Sequence, residues 1–321
     1  MKRGIFRWIT AAVLAAMWAS PVLGARLLIP VGEVVGLNLS EGTVTVAAFH
    51  ETYGTAARRA GLQIGDEILS VEGRTVDCAQ DLYDALKCSD GQVELELCRG
   101  GKTRRLSMAP AVTEEGPRLG VFVREGVSGI GTVTWYDPDT GKFAALGHGV
   151  SDGSGMLLNM TRGFAYEAKV IDIRRGRCGE PGQLRGAVQS AAPLGTLRAN
   201  TAFGVFGTGA KWLGEALPVA EPGQVRAGDA RILSNIRGDE VAFYDVQIRP
   251  CAPRESTQGR DLILHITDPA LLEATGGIVA GMSGSPIIQD GRLVGAVTHV
   301  FVNDPTRGYG IFIENMLNAA T

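Results

Sequence analysis

Gly281-Met282-Ser283-Gly284-Ser285-Pro286-Ile287-Ile288-Gln289-Asp290-Gly291-Arg292-Leu293-Val294-Gly295-Ala296-Val297-Thr298 is the stretch that decides how this chain is read. Glycines on either side of a serine permit a sharp turn, which exposes the hydroxyl and aims nearby N–H groups at one point. Ile287-Ile288 and Arg292 to Thr298 read as strands joined at Asp290-Gly291, so a hairpin folds back over the serine. A serine presented in this way is a candidate nucleophile, with the amides of Gly281 and Ser283 as oxyanion donors.

Working outward, short apolar runs recur with turn residues between them. Gly131 to Tyr136 and Lys142 to Leu146 read as strands around the turn Asp137-Pro138-Asp139-Thr140-Gly141, and the second strand ends at Gly147-His148-Gly149. No long amphipathic helix is predicted before Asn315 to Ala320. The second half of the chain is therefore predicted to be all-β, a sandwich or a barrel.

The nucleophile stretch resembles that of chymotrypsin-like serine peptidases, whose pattern is G-x-S-G-G-P followed by a hairpin; Ser285 stands here in place of the second glycine. The resemblance implies two β-barrels, with the base in the first, the nucleophile in the second and a cleft between them. Of the four histidines, His50 falls in the first domain and His265 in an apolar strand. His299 follows the nucleophile hairpin, where a residue lines the substrate groove. His148 leads as the base because it ends the early hairpin. For the carboxylate that orients the base, Asp268, Asp152, Asp172 and Asp304 are candidates. Asp268 is favoured because it lies between base and nucleophile in chain order. Trypsin-like enzymes carry an acid six residues before the nucleophile; Gly277 stands there, so a preference for Lys or Arg has no support.

Nearer the start, Ala60-Gly61-Leu62-Gln63-Ile64-Gly65-Asp66-Glu67-Ile68-Leu69-Ser70-Val71-Glu72-Gly73 resembles the signature of PDZ domains of bacterial proteases. In that family a peptide adds as a strand beside the second helix, and its terminal carboxylate sits on the amides of a glycine-containing loop. Val35-Gly36-Leu37-Asn38-Leu39 is the expected loop. A domain that only packs against its neighbour is the competing reading. Pro110 to Pro117 is polar and without periodicity, which suits a linker.

The chain has 321 residues, 45% hydrophobic and 20% charged, with a formal net charge of −3. That balance gives no basic face for nucleic acid. Lys2, Arg3 and Arg7 precede an apolar run from Trp8 to Trp18, and small residues at Val22 and Gly24 follow. This is the layout of an export signal, cleaved or kept as a membrane anchor. The five cysteines form no CxxC, so neither a metal nor any other cofactor is expected. The expected layout is an export segment or anchor at 1–24, a PDZ domain at 25–110, a linker at 111–118 and a peptidase domain at 119–321. The fold class is mainly β, an α+β PDZ domain followed by a chymotrypsin-like double β-barrel.

Taken together, Gly131 to Pro138, Leu146-Gly147-His148-Gly149, Gly281 to Ile287 and Gly295 to Pro305 are similar to the stage IV sporulation protein B peptidases. The likeness implies His148, Asp268 and Ser283 as a triad and self-cleavage near the N-terminus. It also implies a signalling role between mother-cell and forespore membranes: cutting a membrane-bound regulator so that an intramembrane metalloprotease processes a sigma factor. The rival from another class is an inactive exported PDZ adaptor that binds peptide or protein C-termini.

Overall fold

The run from Val34 to Phe49 alternates apolar and polar side chains for longer than one small sheet needs, and it serves two sheets. In the computed structural model, which describes residues 26–89, 91–114, 116–152, 155–251 and 259–320, it is a single strand of 16 residues. β1 (Leu27–Pro30) precedes this strand, β2 (Val34–Phe49). Val35 to Ser40 pair with the later strand β11 (Arg162–Arg174) on one edge. On the other edge they pair with β9 (Val121–Tyr136). Val44 and Thr45 instead pair with β3 (Glu67–Val71).

Between β2 and β9 the chain builds a small α+β unit. α1 (Thr55–Ala60) ends at Gly61, whose φ of 93° is the left-handed cap expected of glycine there. β3, the two-residue β4 (Arg74–Thr75), α2 (Ala79–Lys87), β5 (Val93–Arg99) and β6 (Lys102–Met108) follow. Val44, Leu62, Ile68, Leu82, Leu95 and Leu97 form its core. Asp66, fully buried, is held by Arg99 through two 2.6 Å hydrogen bonds, so the signature's aspartate is structural. The expected linker is itself a hairpin, β7 (Ala111–Thr113) and β8 (Gly116–Arg118), and Arg118 stacks on Tyr83 of α2.

The first barrel closes through β2, β9, β10 (Lys142–Ala145), β13 (Gly204–Thr208), β12 (Gln183–Thr201) and β11, with β2 and β9 completing the ring. The predicted Asp137–Gly141 turn joins β9 to β10, with the Asp137 carboxylate accepting from the amides of Asp139 and Thr140. The two-residue β14 (Leu217–Pro218) pairs with β1. The second barrel is closed in the order β15 (Gly228–Arg237), β16 (Glu240–Pro250), β17 (Leu262–Ile266), β20 (Asp304–Phe312), β19 (Arg292–Phe301) and β18 (Pro286–Gln289). Each barrel has its own apolar core, centred on Leu37, Val133 and Phe143 in the first and on Ile232, Leu264 and Val297 in the second. Two short helices, α3 (Pro269–Thr275) and α4 (Ile313–Ala319), pack outside.

The double barrel is as expected, but the domain layout is not. Residues 27–40 belong to the first barrel, so the PDZ unit is inserted between paired strands of that barrel rather than placed ahead of it. The export segment at 1–24 lies outside the described residues. Among those described, no helix is long and apolar enough to cross a membrane, and no group of three or more metal-ligating side chains forms. None of the five cysteines forms a disulfide among the described residues.

Candidate active site

The nucleophile turn is pinned to the first barrel by Thr132, a fully buried residue of β9. Its amide donates to the Ser283 carbonyl at 3.0 Å and its hydroxyl to the Gly281 carbonyl at 2.7 Å. Gly281 sits at φ 101° and Gly284 at φ 98°, conformations that a side chain resists. A Cβ on Gly284 would also collide with the Thr132 carbonyl and the Leu146 amide, so this glycine is what lets the two barrels touch. Ser285 needs no positive φ; its buried hydroxyl bonds Ser234 of β15 at 2.9 Å, which explains how serine replaces the usual glycine.

The cleft between the barrels, about 470 Å³, is lined by His148, Gly281, Ser283 and His299 together with Leu37 and Leu39 of β2. Ser283 and His148, 135 positions apart in sequence, therefore converge on one concave surface. The His148 Nδ1 lies 2.8 Å from the Gly149 carbonyl. A carbonyl only accepts, so Nδ1 carries the hydrogen and Nε2 keeps its lone pair. Burial pushes the His148 ring below its ordinary value of 6.5, which leaves it neutral and basic at neutral pH. The amides of Ala280, Met282, Gly284 and Ser285 all donate to backbone carbonyls. Those of Gly281 and Ser283 have no such partner among the described residues and are available to an oxyanion. The Ser283 hydroxyl donates to the Thr298 carbonyl at 2.7 Å, so attack requires it to turn toward His148.

His299 stands beside His148, with ring centroids 5.0 Å apart. Burial, then the neighbouring His148 and Arg260, push it down to about 4, and its buried Nδ1 has no hydrogen-bond partner. His265 lies outside this cleft, on the outer face of the second barrel near Arg307. Asp268 is committed elsewhere. It caps α3, accepting from the Leu271 amide at 2.9 Å and the Asp245 amide at 3.3 Å, and it is not among the residues lining the cleft. β17 runs from Leu262, paired with Gly310, for about 17 Å to the turn that holds Asp268. Asp172 pairs with Arg185, and Asp304 holds its own turn through Thr306. Asp152 accepts from the Met156 amide.

The carboxylate loop of the PDZ unit is also elsewhere than expected. Val35 to Leu39 have their strand paired on both edges, which leaves no amides for an incoming carboxylate, and Val35, Leu37 and Leu39 are buried. The groove of the PDZ unit lies instead between α2 and the start of β9. It is lined by Leu82 and Leu86 on the helix, by Val121 and Val123 on the strand, and by Arg118, Leu119 and Gly120 at its closed end. Gly120, at φ 73° and hard against the Tyr53 carbonyl, is the glycine such a loop requires. His50 and Tyr53, with ring centroids 4.9 Å apart and planes tilted by 37°, edge the groove.

A PDZ domain model matches residues 53–99. A putative zinc metalloprotease, BH06270 of Bartonella henselae, is 32% identical over 84 residues, 26% of this chain and 23% of that protein, so the chain spans under a quarter of that relative's length. The solved PDZ domain of the SdrC-like protein Lmo2051 of Listeria monocytogenes is 20% identical and covers 25% of this chain and 85% of its own, at a TM-score of 0.22. The Rv3671c protease in its inactive form is 14% identical and covers 60% of this chain and 82% of its own, at a TM-score of 0.34. The model of the SpoIVB peptidase S55 family matches residues 115–317, more than half of the chain and both faces of the cleft, and the chain belongs to that family.

Proposed function

We propose that the chain is a serine endopeptidase in which Ser283 attacks a peptide carbonyl and His148 is the general base. The observation that carries this is the shared cleft: a turn-borne hydroxyl, a neutral imidazole with Nε2 free and two unengaged amides face the same space. Ser283 gives its proton to Nε2 as the C–O bond forms, while the Gly281 and Ser283 amides hold the oxyanion. The intermediate collapses, the amine leaves with the proton from His148, and water repeats the sequence on the acyl-enzyme. In this reading the Gly149 carbonyl fixes the tautomer of the base, and Asp268 supports the second barrel.

The wider role follows the sporulation family. The substrate is a membrane-bound regulator of an intramembrane metalloprotease, the place is outside the cytoplasm between two membranes, and the N-terminal segment delivers or anchors the protein there. The basic, apolar and small-residue order of residues 2–24 supports export. The PDZ groove takes protein C-termini. The Ser283 hydroxyl, turned to Thr298, is the one observation that favours an adaptor without catalysis. Mass spectrometry of the purified full chain over time, with and without casein, separates the two. New termini that are absent in Ser283→Ala and reduced in His148→Ala establish the peptidase; none in folded wild-type protein establishes the adaptor.

A further inference from the structure

One strand edge links the two grooves. β9 passes from Val121, in the PDZ groove, to Thr132, against the nucleophile turn, and pairs with β2 on one side in two stretches separated by a register break between Arg124 and Gly126. Among the described residues no strand pairs with its other edge before Val133. That edge is the one facing Ser283, because the Thr132 amide reaches the Ser283 carbonyl there and the Thr132 carbonyl accepts from Leu146. By strand alternation Ile130 and Ser128 present their N–H and C=O groups along the same edge. Gly129 and Ile130 line both the catalytic cleft and the adjoining groove beneath β12. Long open edges are ordinarily shielded, and this one runs from the carboxylate loop to the oxyanion turn.

Resting on the peptidase reading above, we infer that β9 is a ruler. A single extended substrate tail adds to it as an antiparallel strand, with its free C-terminal carboxylate at Leu119-Gly120-Val121 and its scissile bond at Ser283. A PDZ ligand runs antiparallel to the strand that follows its carboxylate loop, so the tail points back along β9 toward the cleft. From Val121 to Thr132 the strand spans about 36 Å, so the cut falls roughly 10–12 residues before the substrate's C-terminus. The substrate class is a flexible C-terminal tail ending in an apolar residue, which Leu82, Leu86, Val121 and Val123 receive.

The test uses the full chain and a mixture of peptides of about 24 residues, long enough to span both grooves. All end in valine, as the free acid or as the amide, and product lengths are read by mass spectrometry. The ruler predicts C-terminal products clustered at roughly 10–12 residues for the acids. Amidation should lower that cluster about tenfold, and so should N-methylation of the substrate amides that face Ser128 and Ile130, the effect of losing one or two hydrogen bonds. These changes leave the protein untouched, so misfolding cannot imitate the result. Cleavage with a broad length distribution, or a cluster equal for acids and amides, overturns the ruler while leaving the peptidase standing. Absence of any cleavage, together with a Ser283 that resists fluorophosphonates, refutes the peptidase reading and the ruler with it.

Discussion

Replacing Asp268 by asparagine separates two roles that a carboxylate at this position can have. Its oxygens accept from the Leu271 amide at 2.9 Å and the Asp245 amide at 3.3 Å, at the start of α3. Asparagine keeps an oxygen for Leu271 and is as good a helix cap as aspartate. What disappears is a negative charge at a helix N-terminus, worth about 0.3–1 kcal/mol, and a second acceptor worth a similar amount. The expected cost is about 1 kcal/mol of stability, a few degrees in Tm. kcat/KM is expected to stay within about threefold of wild type. A carboxylate that orients a catalytic imidazole behaves differently: asparagine in that place leaves the fold intact and removes about 10⁴ of the rate. Thermal unfolding and the rate of fluorophosphonate labelling, measured on the same preparation, decide between the roles. A loss of about a thousandfold or more at unchanged Tm would refute the capping assignment and restore Asp268 to the catalytic machinery.

Four further outcomes follow from the same geometry. Burial holds His148 below 6.5, so the acid limb of kcat/KM should lie below pH 6.5, as the base takes a proton and can no longer accept one from Ser283. His299 is held at about 4, so the unfolded chain binds more protons between pH 4 and 6.5; Tm should fall on acidification across that window, and less steeply in His299→Gln. Gly284→Ala forces a side chain into the Thr132 carbonyl at φ 98°, and should abolish activity and cost about 3 kcal/mol or more by denaturant unfolding. Arg99→Ala strands the buried Asp66 carboxylate and should destabilise the PDZ unit by about 3–5 kcal/mol, read by the same method.

Much of this molecule is legible in its sequence, and the failures have physical causes. The Asp137–Gly141 turn and the nucleophile hairpin are local, fixed by backbone preferences within a few residues, and both stand where expected. Gly36 among apolar residues reads as a loop, but Val35 to Leu39 are part of a strand whose pairing on both edges no local pattern encodes. The carboxylate loop was displaced for the same reason: Leu119-Gly120-Val121 follows a Pro- and Gly-rich stretch that reads as linker, far from the PDZ signature in sequence. An apolar-Gly-apolar step leading into an alternating strand was the available signal. Asp268 satisfies chain order, which constrains the third catalytic member only weakly, whereas Asp-Pro before a short apolar run is also a helix start. Thr132 lies in the Gly131 to Pro138 stretch that carries the family likeness, but nothing in that stretch marks its role. Its part in holding the nucleophile turn arises from a contact across 149 positions of sequence, which no local pattern encodes.

The most direct measurement of the central claim is to treat the full-length protein with a fluorophosphonate and locate the adduct by peptide mapping. The account predicts a single phosphonylated residue, Ser283, with labelling lost in Ser283→Ala and slowed by about a hundredfold or more in His148→Ala. Folded protein that takes up no label, or that is labelled equally well without the His148 imidazole, would contradict it.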